Sequence, residues 1–103
     1  MSVKLSGENF EAELLQGGIT VADFFSDSCI PCKRMSPVIA ELEEEHGDVK
    51  FAKLNINFDG EIAERYGVTA VPTLIFFKNG EEKARLTGAQ KKAAIVEVID
   101  KIG

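Results

Sequence analysis

Ile19-Thr20-Val21-Ala22-Asp23-Phe24-Phe25 runs through Ser26-Asp27-Ser28 into Cys29-Ile30-Pro31-Cys32. The first part is rich in β-branched and aromatic residues, and it is apolar on both faces apart from Thr20 and Asp23. Such a run predicts a central strand covered on both sides. The small polar residues after Phe25 read as a loop. Pro31 suits the first turn of a helix, where its missing N–H would have no partner in any case. Beyond it Met35, Val38, Ile39 and Leu42 recur at helical spacing, with Glu41, Glu43, Glu44 and Glu45 mostly on the wet side. Gly47 is the expected stop. Strand, loop and helix follow in order, and both cysteines stand where the helix opens.

Working outward, Val3-Lys4-Leu5 predicts a short first strand. Ser6-Gly7-Glu8-Asn9 offers cap residues for a brief helix around Phe10–Leu15, stopped by Gly17-Gly18. Val49–Asn55 reads as a further strand, and Glu61–Tyr66 as a short helix closed by Gly67. Thr73–Lys78, Asn79-Gly80 and Glu82–Thr87 predict a hairpin, because Asn-Gly between strand-like runs is the strongest short turn signal. The chain closes on an amphipathic helix with Ile95, Val98, Ile99 and Ile102 inward. Strands separated by helices and ending in a hairpin imply an α/β fold, a mixed sheet of about five strands with helices on both faces.

The chain has 103 residues, 45% hydrophobic and 28% charged, which is ordinary usage for one compact domain. With no internal repeat, low-complexity tract or linker-like composition, residues 1–103 read as a single domain. A chain of this length can bury a core without covalent staples, so its two cysteines are free for chemistry. Twelve basic against seventeen acidic side chains leave a net charge of −5. That argues against nucleic acid or an anionic membrane as the main partner, since both need a positive face. No apolar stretch of signal-peptide length follows Met1-Ser2-Val3-Lys4-Leu5, and no run approaches the roughly 20 residues of a membrane span. The expectation is a cytoplasmic protein, and in a reducing compartment a close cysteine pair is more often catalytic or metal-binding than structural.

Two residues between the thiols at the start of a helix let the sulfurs meet with little backbone movement. The pair also falls at the carboxyl edge of the sheet, where open α/β sheets place their sites. At the helix mouth Cys29 meets unpaired N–H groups and the positive end of the dipole, which favour the reactive thiolate. Lys33 and Arg34 add positive charge nearby. Cys32 lies one turn inward and should be less exposed. Cys29 is then the thiol that attacks a disulfide and forms a mixed disulfide, and Cys32 the thiol that resolves it. The competing readings are a zinc half-site or two ordinary buried thiols. A closed zinc site needs four ligands; the chain has no other cysteine, and its one histidine, His46, lies at the far end of the helix. No metal is assigned, and no bound cofactor beyond a redox-active Cys29–Cys32 disulfide.

The chain resembles the thioredoxin family over nearly its whole length. The resemblance is carried by Asp23-Phe24, Cys29-Ile30-Pro31-Cys32-Lys33, Pro37, Lys53-Leu54-Asn55, Val71-Pro72-Thr73, Phe77-Lys78-Asn79-Gly80 and Gly88-Ala89, in that order. There are two departures. Ser28 and Ile30 stand in place of the Trp and Gly of the family's usual Trp-Cys-Gly-Pro-Cys, and Phe25 stands where a Trp is common; the chain has no Trp.

The resemblance implies the thioredoxin fold and a protein-disulfide reductant recharged by a separate enzyme of the thioredoxin-reductase type. It also implies disulfide-containing client proteins as partners and a monomeric protein. The alternative is a binding module that keeps the fold without turnover. For Asp23 two readings stand. It is either a strand-end carboxylate facing water or, as the resemblance implies, a buried acid–base group serving Cys32, its pKa raised by desolvation. Lys53 matches a family lysine that approaches that carboxylate. Val71-Pro72 matches a cis peptide facing the cysteines, with the Val71 backbone free to pair with a substrate strand. Gly88 and Ala89 would keep the neighbouring surface low, and Ile30, Ala70, Val71 and Ala89 would form a small apolar landing patch. Pro37 reads as a helix kink.

Overall fold

The computed structural model describes residues 3–6, 9–14 and 16–103. Five strands, β1 (Val3–Leu5), β2 (Ile19–Phe25), β3 (Val49–Asn55), β4 (Thr73–Lys78) and β5 (Glu81–Thr87), make one sheet in the order β1-β3-β2-β4-β5. β1, β3 and β2 run parallel, and β4 and β5 continue the sheet antiparallel. The helices are α1 (Phe10–Leu14), α2 (Ile30–Glu45), α3 (Gly60–Arg65) and α4 (Lys92–Ile102). The expected mixed α/β sheet is the observed one, and β2 lies at its centre.

Strand alternation divides the core into two layers. Ala22 and Phe24 of β2 and Ile75 and Phe77 of β4 pack with Phe10 and Leu14 of α1 and Ile62 and Ala63 of α3. Val21, Leu74 and Phe76 point the other way, onto Met35, Ile39 and Leu42 of α2 and Ile95 and Ile99 of α4. Asp23 shares the parity of Val21, so its side chain leaves the sheet on the α2 face. Phe10, Tyr66 and Phe77 meet as tilted and edge-on rings with centroids 5.4 to 6.1 Å apart.

Local signals are mostly kept. Asn79 (φ 53°) and Gly80 (φ 85°) form the turn of the β4–β5 hairpin, both with the positive φ that a two-residue hairpin loop of this kind demands. The Asn79 side chain accepts a hydrogen bond from the Gly18 N–H at 2.9 Å, and the Asn79 N–H donates to the Gly18 carbonyl at 3.0 Å. α3 runs from Gly60 to Arg65, one residue earlier than expected at each end, and is followed by Gly67 at φ 66°. The sequence places the stop of α2 at Gly47. The helix ends at Glu45 and is capped by His46, whose N–H is bonded to the Leu42 carbonyl, so Gly47 directly follows the cap, although it does not take a left-handed conformation. Pro37 lies inside α2, where it removes one helical N–H donor. Of the inward set on α4, Ile95 and Ile99 are buried and Val98 and Ile102 half-buried. The expected cap residues Gly7 and Glu8, and the expected helix end at Leu15, lie outside the described residues.

Candidate active site

β2 delivers the chain to the carboxyl edge of the sheet, and a turn closed by the Cys29 N–H on the Ser26 carbonyl (3.3 Å) leads into α2. Cys29 is the N-cap, with extended backbone (φ −85°, ψ 109°), and its Sγ accepts the Cys32 N–H at 3.1 Å. A sulfur thus does what a Ser or Asp oxygen does at most helix starts, satisfying one of the orphan donors. Pro31 occupies the first turn, where it forfeits no helical bond. Cys29 and Cys32 are joined as a disulfide with Cα atoms 5.2 Å apart, within the ordinary range for the bond.

The expected contrast in exposure between the two cysteines is nearly absent. Cys29 is 8% exposed and Cys32 5%. The physical reason is the bond itself, together with the N-cap geometry, which turns the Cys29 sulfur toward the Cys32 amide instead of solvent.

Asp23 is 5% exposed, which removes the water-facing reading. Burial pushes its carboxyl up to about 6, with the Lys53 ammonium pulling in the opposite direction and losing. Lys53 stands directly across the β2–β3 register from Asp23 and is half-buried. Among the described residues, no group hydrogen-bonds Asp23 Oδ1. Asp23, Lys53 and Cys32 line a single cavity of about 170 Å³, together with Phe25, Lys33 and Ser36. The carboxylate, its counter-charge and the inner cysteine therefore share one small space behind the disulfide.

The second edge of the site comes from the loop before β4. The Val71-Pro72 bond is cis, as the family resemblance implied. Thr73 Oγ1 donates to the Ala70 carbonyl at 2.7 Å, and the Gly88 N–H donates to the Pro72 carbonyl at 2.8 Å. Thr73 pairs with Phe24 on one side and Thr87 on the other, so Pro72 and Gly88 extend the same edge that β2 reaches. Gly88 sits at φ 88°, a backbone state that disfavours any Cβ even though the space around it is open. The Gln90 N–H lies 3.1 Å from Met35 Sδ, which ties this loop to α2. Ile30, Ala70 and Ala89 are exposed and Val71 half-buried.

Sequence reading missed the loop after β3. The Ile56 N–H donates to the Phe25 carbonyl (2.9 Å), Asn57 Oδ1 accepts the Asp27 N–H (3.0 Å), and Asn55 Nδ2 donates to Asp27 Oδ1 (2.9 Å). The turn carrying Cys29 is thereby pinned to a neighbour far away in sequence. The available signal was Asn55-Ile56-Asn57-Phe58-Asp59, an Asn/Asp-rich loop following a parallel strand at the functional edge.

Residues 1–101 match the family model described as Thioredoxin. The chain belongs to the thioredoxin family. It is 40% identical over 96 residues to a thioredoxin of Chlamydia caviae, covering 93% of each chain. It is 38% identical over 100 residues to a thioredoxin of Bacillus subtilis, covering 96% of this chain and 95% of that one. In structure it is similar to a mutant thioredoxin from Halobacterium salinarum NRC-1, with a TM-score of 0.91 at 30% identity, over 97% of this chain and 88% of the other. Thioredoxin-family membership and a bonded cysteine pair at the mouth of α2 make the chain a thiol–disulfide oxidoreductase, a reductant of protein disulfides whose redox centre is Cys29–Cys32.

Proposed function

We propose that the reduced protein attacks client disulfides through the Cys29 thiolate. The client S–S bond breaks, one client sulfur leaves as thiolate, and the other forms a mixed disulfide with Cys29. Cys32 then loses its proton to the Asp23 carboxylate and attacks the Cys29 sulfur. The second client thiolate leaves, the Cys29–Cys32 disulfide closes, and two electrons have passed to the client. The observation that carries this assignment is that Asp23 and Cys32 line one cavity, with the carboxylate buried and its basicity raised toward neutrality. Lys53, across the register, limits that rise. Pro31 sets the helix entry that leaves Cys29 at the positive end of α2.

In the same reading, Val71 offers its backbone to an extended client segment, and Pro72 and Gly88 hold that edge in place. Ile30, Ala70 and Ala89 give the segment an apolar seat. A separate reductase of the thioredoxin-reductase type returns two electrons to the disulfide. The protein acts as a monomeric, cytoplasmic single domain over residues 1–103, with disulfide-bearing proteins as its substrates. The test is reduction of insulin disulfides by dithiothreitol with and without the protein. Acceleration that is lost in both Cys29→Ser and Cys32→Ser supports the cycle. No acceleration by the wild-type protein would mean that the fold serves as a binding module without turnover.

A further inference from the structure

Among the described residues two large apolar side chains stand exposed, Ile30 at 63% and Phe58 at 78%. Both belong to the sheet edge that carries the disulfide. Ile30 directly follows Cys29, and Phe58 lies in the loop after β3, whose last residue, Asn55, pairs with Phe25. A phenyl ring held in water contributes nothing to the core, so its position calls for a different account.

The loop that presents Phe58 is tied down. Its neighbour Asn57 receives the Asp27 N–H at 3.0 Å and donates its own N–H to Asn55 Oδ1 at 2.9 Å, while Asn55 grips the Asp27 carboxylate at 2.9 Å. Asp27 is two residues from Cys29, so Phe58 and the attacking sulfur stand on loops bolted to one another. Phe58 also lines a shallow groove with Phe25, Asp27 and Lys53. Those same three residues line the cavity beside Asp23 and Cys32. The groove therefore shares a wall with the cavity behind the disulfide.

We propose that Phe58 is a docking anchor for protein disulfides and works with Ile30 to seat apolar stretches of the client around the reacting bond. The occupant is a client protein whose disulfide is flanked by apolar residues. Burial against aliphatic and aromatic groups is non-directional, so two such anchors suit varied client sequences. Phe58 also supplies an aromatic contact that Ser28, in the position next to Cys29, does not provide. A small disulfide reaches Cys29 without meeting Phe58. The proposal rests on the protein-disulfide reductant reading and adds to it the feature that separates protein from small-molecule substrates.

The experiment measures kcat and KM for insulin, with dithiothreitol as electron donor, and the reaction rate with oxidised glutathione. Wild type, Phe58→Ala and Phe58→Leu are compared. Phe58→Ala should raise KM for insulin about tenfold with kcat little changed, the loss expected for one apolar anchor. Phe58→Leu should keep most of the affinity, and the glutathione rate should be the same in all three. An unchanged insulin KM in Phe58→Ala overturns the proposal, as does an equal loss with glutathione, which would mark a general disturbance of Cys29. Sedimentation showing a dimer that Phe58→Ala dissolves would make a second copy the occupant and would overturn it too. If the wild-type protein reduces neither substrate, it is the underlying reductant reading that fails.

Discussion

Asp23 is held in the protein in the form that folding disfavours at neutral pH. Its carboxyl titrates near 3.8 in the open chain and at about 6 when buried. Protonation is therefore easier in the folded state. The stabilising contribution of the neutral acid is fully present below about pH 4 and is lost as pH rises through about 6. A shift of this size corresponds to roughly 3 kcal/mol at neutral pH and above, as an order of magnitude. Asp23→Asn removes the charge and keeps the shape, so it should raise stability by up to that amount at pH 7.5 and by little at pH 4. Urea unfolding of the oxidised forms across that range checks it, and a difference that stays constant with pH would overturn the account. The same variant should slow resolution of the mixed disulfide more than its formation, because the amide cannot accept the Cys32 proton. Stopped-flow traces that separate the two steps should show the second one lengthened.

At the scale of elements, α2 begins on a sulfur. When the pair is reduced, the N–H groups of the first turn and the dipole of a 16-residue helix act on Cys29 more than on Cys32. Limited alkylation of the reduced protein near neutral pH should therefore label Cys29 first. Preferential labelling of Cys32, read by peptide mass, would reverse the two roles. The β4–β5 hairpin offers an independent test of local structure. Asn79 carries positive φ and two hydrogen bonds to Gly18, so it serves both its own turn and the loop before β2. Asn79→Ala should cost about 1–2 kcal/mol through left-handed strain and the lost side-chain acceptor. The urea midpoint should fall while the slope of the transition stays the same.

At the scale of the whole molecule, a single sheet separates two apolar layers, and β2 and β4 supply side chains to both. Neither layer can come apart without exposing the strands that support the other. The chain should therefore unfold in one cooperative step. Tyr66 is the only tyrosine and there is no tryptophan, so its fluorescence reports the layer of Phe10 and Phe77 alone. Far-ultraviolet circular dichroism is dominated by α2 and α4 on the opposite face. The two probes should give coincident denaturation curves, and separated midpoints would divide the molecule into independent units. Phe76→Ala, in the layer beneath α2, should lower both midpoints together, at a cost of about 3–5 kcal/mol.

What the sequence determined by itself was whatever depends on near neighbours. The covered strand Ile19–Phe25, the helix opening at Cys29-Ile30-Pro31-Cys32 and the Asn79-Gly80 turn could all be read because period, missing N–H and positive φ are local demands. The end of α2 also falls where Gly47 marks it, directly after the His46 cap, although Gly47 does not take the left-handed turn. For Asp23 and Lys53 the residues themselves left burial and pairing open, and only the family resemblance implied them. Tertiary structure supplies the register that sets Lys53 opposite Asp23 and the cavity both share with Cys32. It also decided that the two cysteines are almost equally covered. The clamp from Asn55 and Asn57 onto Asp27 spans 28 and 30 residues, and it is what brings Phe58 to the redox edge. Contacts of that kind depend on strand order and register. These are set by which apolar faces can be buried together, and no short window of sequence contains that information.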